Sequence, residues 1–533
     1  MKKRLYEMIP GILCWLTLVL PFFLGIFFPH FLIYFIVLYV LYWLYKTLLM
    51  GFHLVLGYCH LRYDLRTDWS EKIKELKNLP QYLQKLQNQI KKQKFFTKIK
   101  TLEELREATE LKNSHQPLLD SEKIYQAVIL PTYKEDVSIL RASIRACQKS
   151  LWPKERMIIV LATEAREKEK AKEKARILTE EFGKAFFHFL VTEHPDNLVG
   201  EMKAKGANLT WAARKLKKFL DEKKIPYENV LVSAFDADTR PHPQYFACLT
   251  YKYLLNPARL RRSYQPIPLY SNNIWEISLL TRITAFSSTF WQMIEATRPY
   301  RMVNFSSQAM SMQTLVEIDF WDVGIVSEDS RQFFRAFFRY GGDHQVVPLF
   351  TPVYMDAVYG ETFFETLRRQ YLQKRRWAYG VEHFPYLCQE LPRHPEIPFL
   401  KKFLVLWRQF EGHYSWATAS ILLFIFGWIP FAFSPYFQSS VMAYNLPNLA
   451  RFLLSLTWIG LIISTYISLA LLPPRPTSYG FGKTAILYIE WVFVAITAII
   501  FGSIPAIDAQ THLMLGKYLG FWVTPKAYSQ TKG

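Results

Sequence analysis

Two apolar runs, residues 9–28 and 31–56, open the chain with only Pro29-His30 between them, and each reaches the ~20 residues that a bilayer-crossing helix needs. Side by side, runs of that length constrain the N-terminus to a membrane hairpin. Met1-Lys2-Lys3-Arg4 mimics a secretion signal, but the second run follows at once and no Ala-x-Ala-like cleavage site is present. The expectation is an uncleaved anchor with both ends cytosolic. Apolar stretches at 416–433, 451–472 and 485–504 predict three more spans, with Tyr and Trp near their ends. The loop 435–450 holds no Lys or Arg and the next holds Arg475 and Lys483, so the positive-inside rule puts the first outside and the second inside. Residues 397–414 mix Lys401, Lys402 and Arg408 with Phe399, Phe403 and Trp407, the pattern of a helix lying in the interface.

The charged residues concentrate between the membrane ends, from about residue 57 to 402, which reads as a soluble block held at a bilayer. The net charge of +20 comes from Lys and Arg scattered over helices and juxtamembrane segments rather than from one basic arm. Membrane lipids with anionic headgroups and diphosphates therefore fit as partners, and no nucleic acid is expected. Cys14, Cys59, Cys147, Cys248 and Cys388 lie far apart with no CxxC pair, so neither a disulfide framework nor a zinc site is expected.

Four segments follow: a transmembrane hairpin over 1–60, an amphipathic helical connector over 61–122, an α/β block over 123–395, and over 396–533 an interfacial helix, three spans and a tail. The connector is rich in Lys, Glu, Gln and Leu, is broken by Pro80, and reads as packing helices with solvated charged faces. In the α/β block, Ala127–Leu130, Met157–Ala162, Phe186–Val191 and Val230–Phe235 read as strands, and 136–150, 165–182 and 203–222 as helices. Ligands of such sheets bind beyond the carboxyl ends of the strands, where Thr132, Glu135, Glu164 and Asp236 all fall.

Three spaced signals carry chemistry. Asp236 and Asp238 follow an apolar strand and supply two hard oxygen donors suited to Mg or Mn, against the simpler reading of a turn. Ser327-Glu328-Asp329 precedes an evident helix, so its acids could cap that helix or offer a base. Gln373, Arg376 and Trp377 stand at i, i+3 and i+4 of a helix and share one face, either lining a cleft or facing the membrane interface. Two weaker segments join them. Thr132, Tyr133 and Glu135 follow the first strand and could bond a nucleobase or ribose, or open a helix, and Lys203 and Lys205 could meet diphosphate charge at a helix start.

The ordered set Pro-Thr-Tyr-x-Glu, Asp-x-Asp, Ser-Glu-Asp and Gln-x-x-Arg-Trp resembles the membrane family 2 glycosyltransferases, the group of cellulose and hyaluronan synthases, over residues 123 to about 395. Phe521-Trp522-Val523-Thr524-Pro525-Lys526 is similar to the Phe-x-Val-Thr-x-Lys gating loop of cellulose synthase. The resemblance implies a GT-A (Rossmann-like) α/β domain embedded between transmembrane helices of a bacterial inner membrane, with its catalytic face cytosolic. It implies Thr132, Tyr133, Glu135 and Glu164 at the nucleotide, Lys203, Lys205 and Asp236 at the diphosphate, and Asp236 with Asp238 at Mg or Mn. Asp329 becomes the general base beside Glu328, Gln373, Arg376 and Trp377 meet phosphate and acceptor sugar, and Thr524 and Lys526 touch the donor from the tail.

The implied reaction is inverting transfer from a nucleoside-diphosphate sugar, foremost a UDP-sugar, onto a glycan, giving a β-linked polysaccharide. Transfer of one sugar to a polyprenyl phosphate or other lipid acceptor is the second reading, and a non-catalytic nucleotide-sugar sensor the third. The family places an Asp after the second strand, where this chain offers only Glu164. With the sequence ending at Gly533, no appended cyclic-dinucleotide domain is expected. Three spans after a cytosolic block would put 521–526 outside, so the gating reading requires one apolar segment to be interfacial or re-entrant.

Overall fold

The apolar runs form α1 (Lys2–Phe27) and α2 (Pro29–Arg66) in the computed structural model, which describes residues 2–424, 458–477, 480–520 and 522. Pro29 sits at the first position of α2, where its missing N–H costs nothing and its fixed φ suits a helix start. Leu16, Val19, Phe27, Phe31 and Leu38 point outwards, as side chains do when lipid replaces water. Three described helical stretches are long and apolar enough to cross a membrane: Lys2–Phe27, Pro29–Arg66 and Thr484–Leu515. A shorter apolar helix covers Trp458–Leu471, while the remainder of the expected spans 416–433 and 451–472, with the loop 435–450, lies largely outside the described residues.

The chain divides into two compact units. Among the described residues, one comprises Leu56–Asn273 and Thr289–Asp356, and the other comprises those up to Val55, Ile274–Ser288 and those from Ala357 on.

The first unit holds the sheet. Its connector helices are α3 (Trp69–Leu76), α4 (Leu79–Lys92) and α5 (Phe95–Asn113). Pro80 starts α4 instead of breaking a helix, and Asn78 caps that start. Trp69, Ile73, Leu76, Tyr82, Leu86 and Leu111 pack into the core, but the connector's charges are not all solvated. Lys72 meets Glu104 at 2.5 Å and Lys100 meets Asp64 at 3.7 Å, all but Lys72 fully buried. Paired charges withstand burial where single ones do not.

Then come β1 (Tyr125–Pro131), α6 (Val137–Gln148), β2 (Met157–Glu164), α7 (Glu169–Phe182), β3 (His188–His194), α8 (Lys205–Glu222), β4 (Val230–Ala234) and β5 (Arg240–Pro241). Next are α9 (Tyr245–Leu255), β6 (Arg262–Leu269), α10 (Leu279–Ala296), β7 (Ala309–Ser311), α11 (Met312–Glu317), α12 (Glu328–Arg339) and β8 (Gln345–Tyr354). The eight strands form one mixed sheet in the order β3-β2-β1-β4-β7-β6-β8-β5. β3, β2, β1 and β4 run parallel, and β7 pairs antiparallel with both β4 and β6.

Alternation along β1 divides the core, since Val128 and Leu130 join α3–α6 and α9 on one face while Ala127 and Ile129 join α8 on the other. The α/β class expected from the strand and helix runs is therefore what forms, with apolar helices at both ends of the sequence.

In the second unit α13 (Phe363–Ala378), α14 (His383–Glu390) and α15 (Phe399–Phe424) accompany the apolar helices. The expected interfacial segment 397–414 is the first part of α15, which continues to Phe424. Arg282 and Glu490 form a buried ion pair at 2.9 Å, and Asp508 accepts from Tyr371 at 2.7 Å and Arg375 at 3.2 Å. All five cysteines are free.

Candidate active site

Parallel pairing of β2, β1 and β4 brings their carboxyl ends to one edge of the sheet, and the polar residues collect there. Pro131 closes β1, and the following residues turn on themselves. Thr132 Oγ1 donates to Glu135 at 2.9 Å and the Tyr133 amide donates to the same carboxylate at 2.5 Å. Burial raises the Glu135 carboxyl above its usual pKa, against the pull of these donors. Asp136 then caps α6 through the Ser138 amide at 2.8 Å, so the helix-opening reading of this segment holds for Asp136.

At the end of β2, Glu164 is buried and ion-paired with Arg166. Burial raises its pKa and Arg166 opposes the rise. The Arg166 guanidinium lies 4.1 Å from the centre of the Tyr133 ring, tying the ends of β1 and β2 together. Beside them is a cavity of about 250 Å³ whose lining includes Glu164, Arg166, His194, Asn197, Glu201 and Lys203. Lys203 is held by Asp196 at 2.8 Å on its rim.

Lys205, the first residue of α8, is the centre of the arrangement. Its Nζ lies 2.7 Å from Asp236, 3.7 Å from Asp329 and 3.9 Å from Glu328. Burial works against its charge, but Asp236, Asp329 and Glu328 overcome that and lift its pKa above the ordinary lysine value. Asp236 also accepts from Ser306 Oγ at 2.6 Å. Gly206 permits the close approach, since a Cβ there would lie 2.6 Å from the Asp322 carbonyl oxygen and 3.1 Å from Glu328 Cβ.

Asp236-Ala237-Asp238 forms the turn of the simpler reading, the Thr239 amide donating to the Asp236 carbonyl at 3.0 Å. The two carboxylates nevertheless differ. Asp236 keeps 29% of its side chain exposed, whereas Asp238 is fully buried and accepts from the Asp356 amide at 2.9 Å. Asn272 bridges the Asp238 carbonyl at 3.2 Å and the Asp356 carboxylate at 2.9 Å. Asp236 is the accessible hard-oxygen donor of the two, and no group of three or more His, Cys, Asp or Glu side chains placed to hold a metal ion occurs among the described residues. Glu328 and Asp329 belong to the first turn of α12, where the helix dipole favours anions, and the Asp329 side chain beside Lys205 remains 21% exposed to solvent.

Gln373, Arg376 and Trp377 belong to α13 in the second unit. Gln370 donates to Gln373 at 3.4 Å, and Lys374, between the motif's ends, lies 4.2 Å from the Trp377 ring centre and donates to Ser288 at 2.7 Å. Thr524 and Lys526 lie outside the described residues. Sequence reasoning missed Arg166, Asn272, Ser306 and Asp356. Only Arg166 carried a local signal, being two residues from Glu164.

Residues 231–473 match the model of the Glycosyl transferase family group 2, a stretch that contains Asp236, Asp238, Asp329 and Gln373–Trp377 but not Thr132, Glu164 or Lys205. Similar solved structures include the mannosyltransferase PcManGT from Pyrobaculum calidifontis in complex with GDP-Man and Mn²⁺, at 13% identity and TM-score 0.41, covering 78% of this chain and 95% of that one. Another is S. aureus TarS 1–349 in complex with UDP-GlcNAc, at 11% identity and TM-score 0.35, covering 74% of this chain and 93% of that one. No curated protein matches the sequence. The matched stretch, less than half of the chain, carries both the Asp-x-Asp and the Ser-Glu-Asp carboxylates.

Proposed function

We propose that the chain is an integral-membrane, inverting, metal-dependent glycosyltransferase that draws on a nucleoside-diphosphate sugar, foremost a UDP-sugar, to build a β-linked polysaccharide at the cytosolic face of a bacterial membrane. The observation that carries the reading is the meeting of Asp236 and Asp329 at one ammonium, Lys205. Residues far apart in sequence thereby supply a diphosphate seat and a proton acceptor in one place.

In this reading Asp329 takes the proton of the acceptor hydroxyl. The acceptor oxygen bonds to the anomeric carbon while the bond from that carbon to the diphosphate oxygen breaks on the opposite side, so the configuration inverts. The departing group is the nucleoside diphosphate, and Lys205 is released from Asp236 and Asp329 to meet its negative charge. Freed of that ammonium, Asp329 is also a better base. A divalent ion held by Asp236 and Asp238 would neutralise further diphosphate charge. Ser306 keeps Asp236 oriented, and the Asp356 amide does so for Asp238. Arg376 and Trp377 carry a guanidinium and an aromatic plane, groups whose chemistry suits a diphosphate and a sugar.

The test is incubation of the detergent-purified chain with a panel of nucleotide sugars and Mg²⁺ or Mn²⁺, with mass analysis of everything formed. A long glycan, lost on adding EDTA, is expected. A lipid-linked monosaccharide would transfer the assignment to the second acceptor class, and absence of turnover with every donor would refute the catalytic reading.

A further inference from the structure

Between Glu75 and Glu103 the sequence holds seven lysines and no acid. Lys77 pairs with Glu122, Lys85 with Glu75 and Lys100 with Asp64. Lys91, Lys92, Lys94 and Lys98 are exposed and gather around the short junction of α4 and α5. Phe95 stands among them with 64% of its surface exposed, its ring 5.2 Å from that of Phe96.

Helix stability does not account for this composition. Lys91 and Lys92 suit the last turn of α4, but Lys94 and Lys98 occupy the start of α5, where the dipole favours acids and the first turn has none. Nor does packing account for Phe95, since it covers no core.

The direction of α5 supplies the partner. Its contacts step back along the chain, from Glu104 at Lys72 to Lys100 at Asp64, and Phe350 links Lys100 (4.6 Å) with the His60 ring (5.0 Å). The Phe95 end of α5 therefore points toward the Leu56 end of α2, where the apolar run of that helix stops. We infer that residues 91–98 form a membrane-surface contact in which the four exposed lysines bind anionic phospholipid headgroups and Phe95 enters the headgroup boundary. An aromatic ring flanked by cations matches such a surface in charge and polarity, and each lysine is worth about fivefold in surface-bound population, converted from ~1 kcal/mol per residue.

This inference rests on the apolar helices crossing a bilayer, which retention of the chain in carbonate-washed membranes tests by itself. For the contact, the full chain is placed in nanodiscs of phosphatidylcholine alone or with about a third phosphatidylglycerol. Hydrogen exchange of the 89–98 amides is expected to slow several-fold only in the anionic discs. High salt should reverse the slowing, and the combined variant K91Q/K92Q/K94Q/K98Q should abolish it while the amides of β1 and β2 keep their protection. A photoreactive benzoylphenylalanine at position 95 is expected to acquire phospholipid mass. Equal exchange in both disc types, or cross-linking to a second protein chain instead of lipid, would overturn the contact even with the anchor confirmed.

Discussion

Replacing Lys205 by Met keeps the aliphatic stem and removes the charge that Asp236, Glu328 and Asp329 share. At an effective dielectric of about 20, the 2.7 Å pair with Asp236 alone represents roughly 6 kcal/mol of gross attraction. Desolvation offsets much of it, so the observable is the cost of leaving partly buried carboxylates facing one another, ~3–5 kcal/mol. For a unit of this size that corresponds to a fall in melting temperature on the order of 10 °C. The variant should also respond to metal differently from the wild type. At the proposed site a divalent ion would compete with the wild-type ammonium for Asp236, whereas in the variant it would restore the missing charge, so the stabilisation linked to binding should be larger. Thermal unfolding in detergent, with and without Mn²⁺, measures both effects. If K205M melts with the wild type in metal-free buffer, or gains no more from Mn²⁺ than the wild type does, Lys205 is not the charge that holds these carboxylates together.

Asp329→Asn should lower turnover by roughly 10²–10⁴-fold while nucleotide binding, read by calorimetry, stays within a few-fold; unchanged turnover removes Asp329 from the base role. Arg282→Met strands the buried Glu490 and should cost ~3–5 kcal/mol, with the double change R282M/E490L recovering most of the loss. Denaturation midpoints in one detergent check both variants. Burial pulls the Lys374 ammonium down to about 7, whereas the unfolded residue titrates near 10.5. Below pH 7 both states carry the proton and the cost of the buried charge is full. From about pH 7 to 10.5 only the unfolded chain keeps it, so this lysine's contribution should make stability rise with pH, a slope that Lys374→Met flattens.

The four parallel strands were legible because β-branched and apolar residues dominate a short run in each and turn chemistry brackets them. The other four were not. β6 and β8 each carry two prolines, which normally argue against a strand, and β5 and β7 are two and three residues long. Asp236, Asp238 and Asp329 were readable from their order and from the elements they abut. The role of Lys205 was not, because its partners lie on β4 and α12 and no local pattern predicts that meeting. The connector shows the same limit. Lys72, Lys100 and Glu104 look like solvated charges until Asp64 and the other partners are seen beside them.

The tight contact at Gly206 has a practical corollary for anyone testing the proposed activity by systematic mutagenesis. Even a methyl group there would collide with the Asp322 carbonyl and shift the start of α12. A Gly206→Ala protein would therefore lose turnover as though a reactive group had been removed, although this residue has no side chain with which to react. Hits in such a screen report the fit between two backbones as readily as they report chemistry.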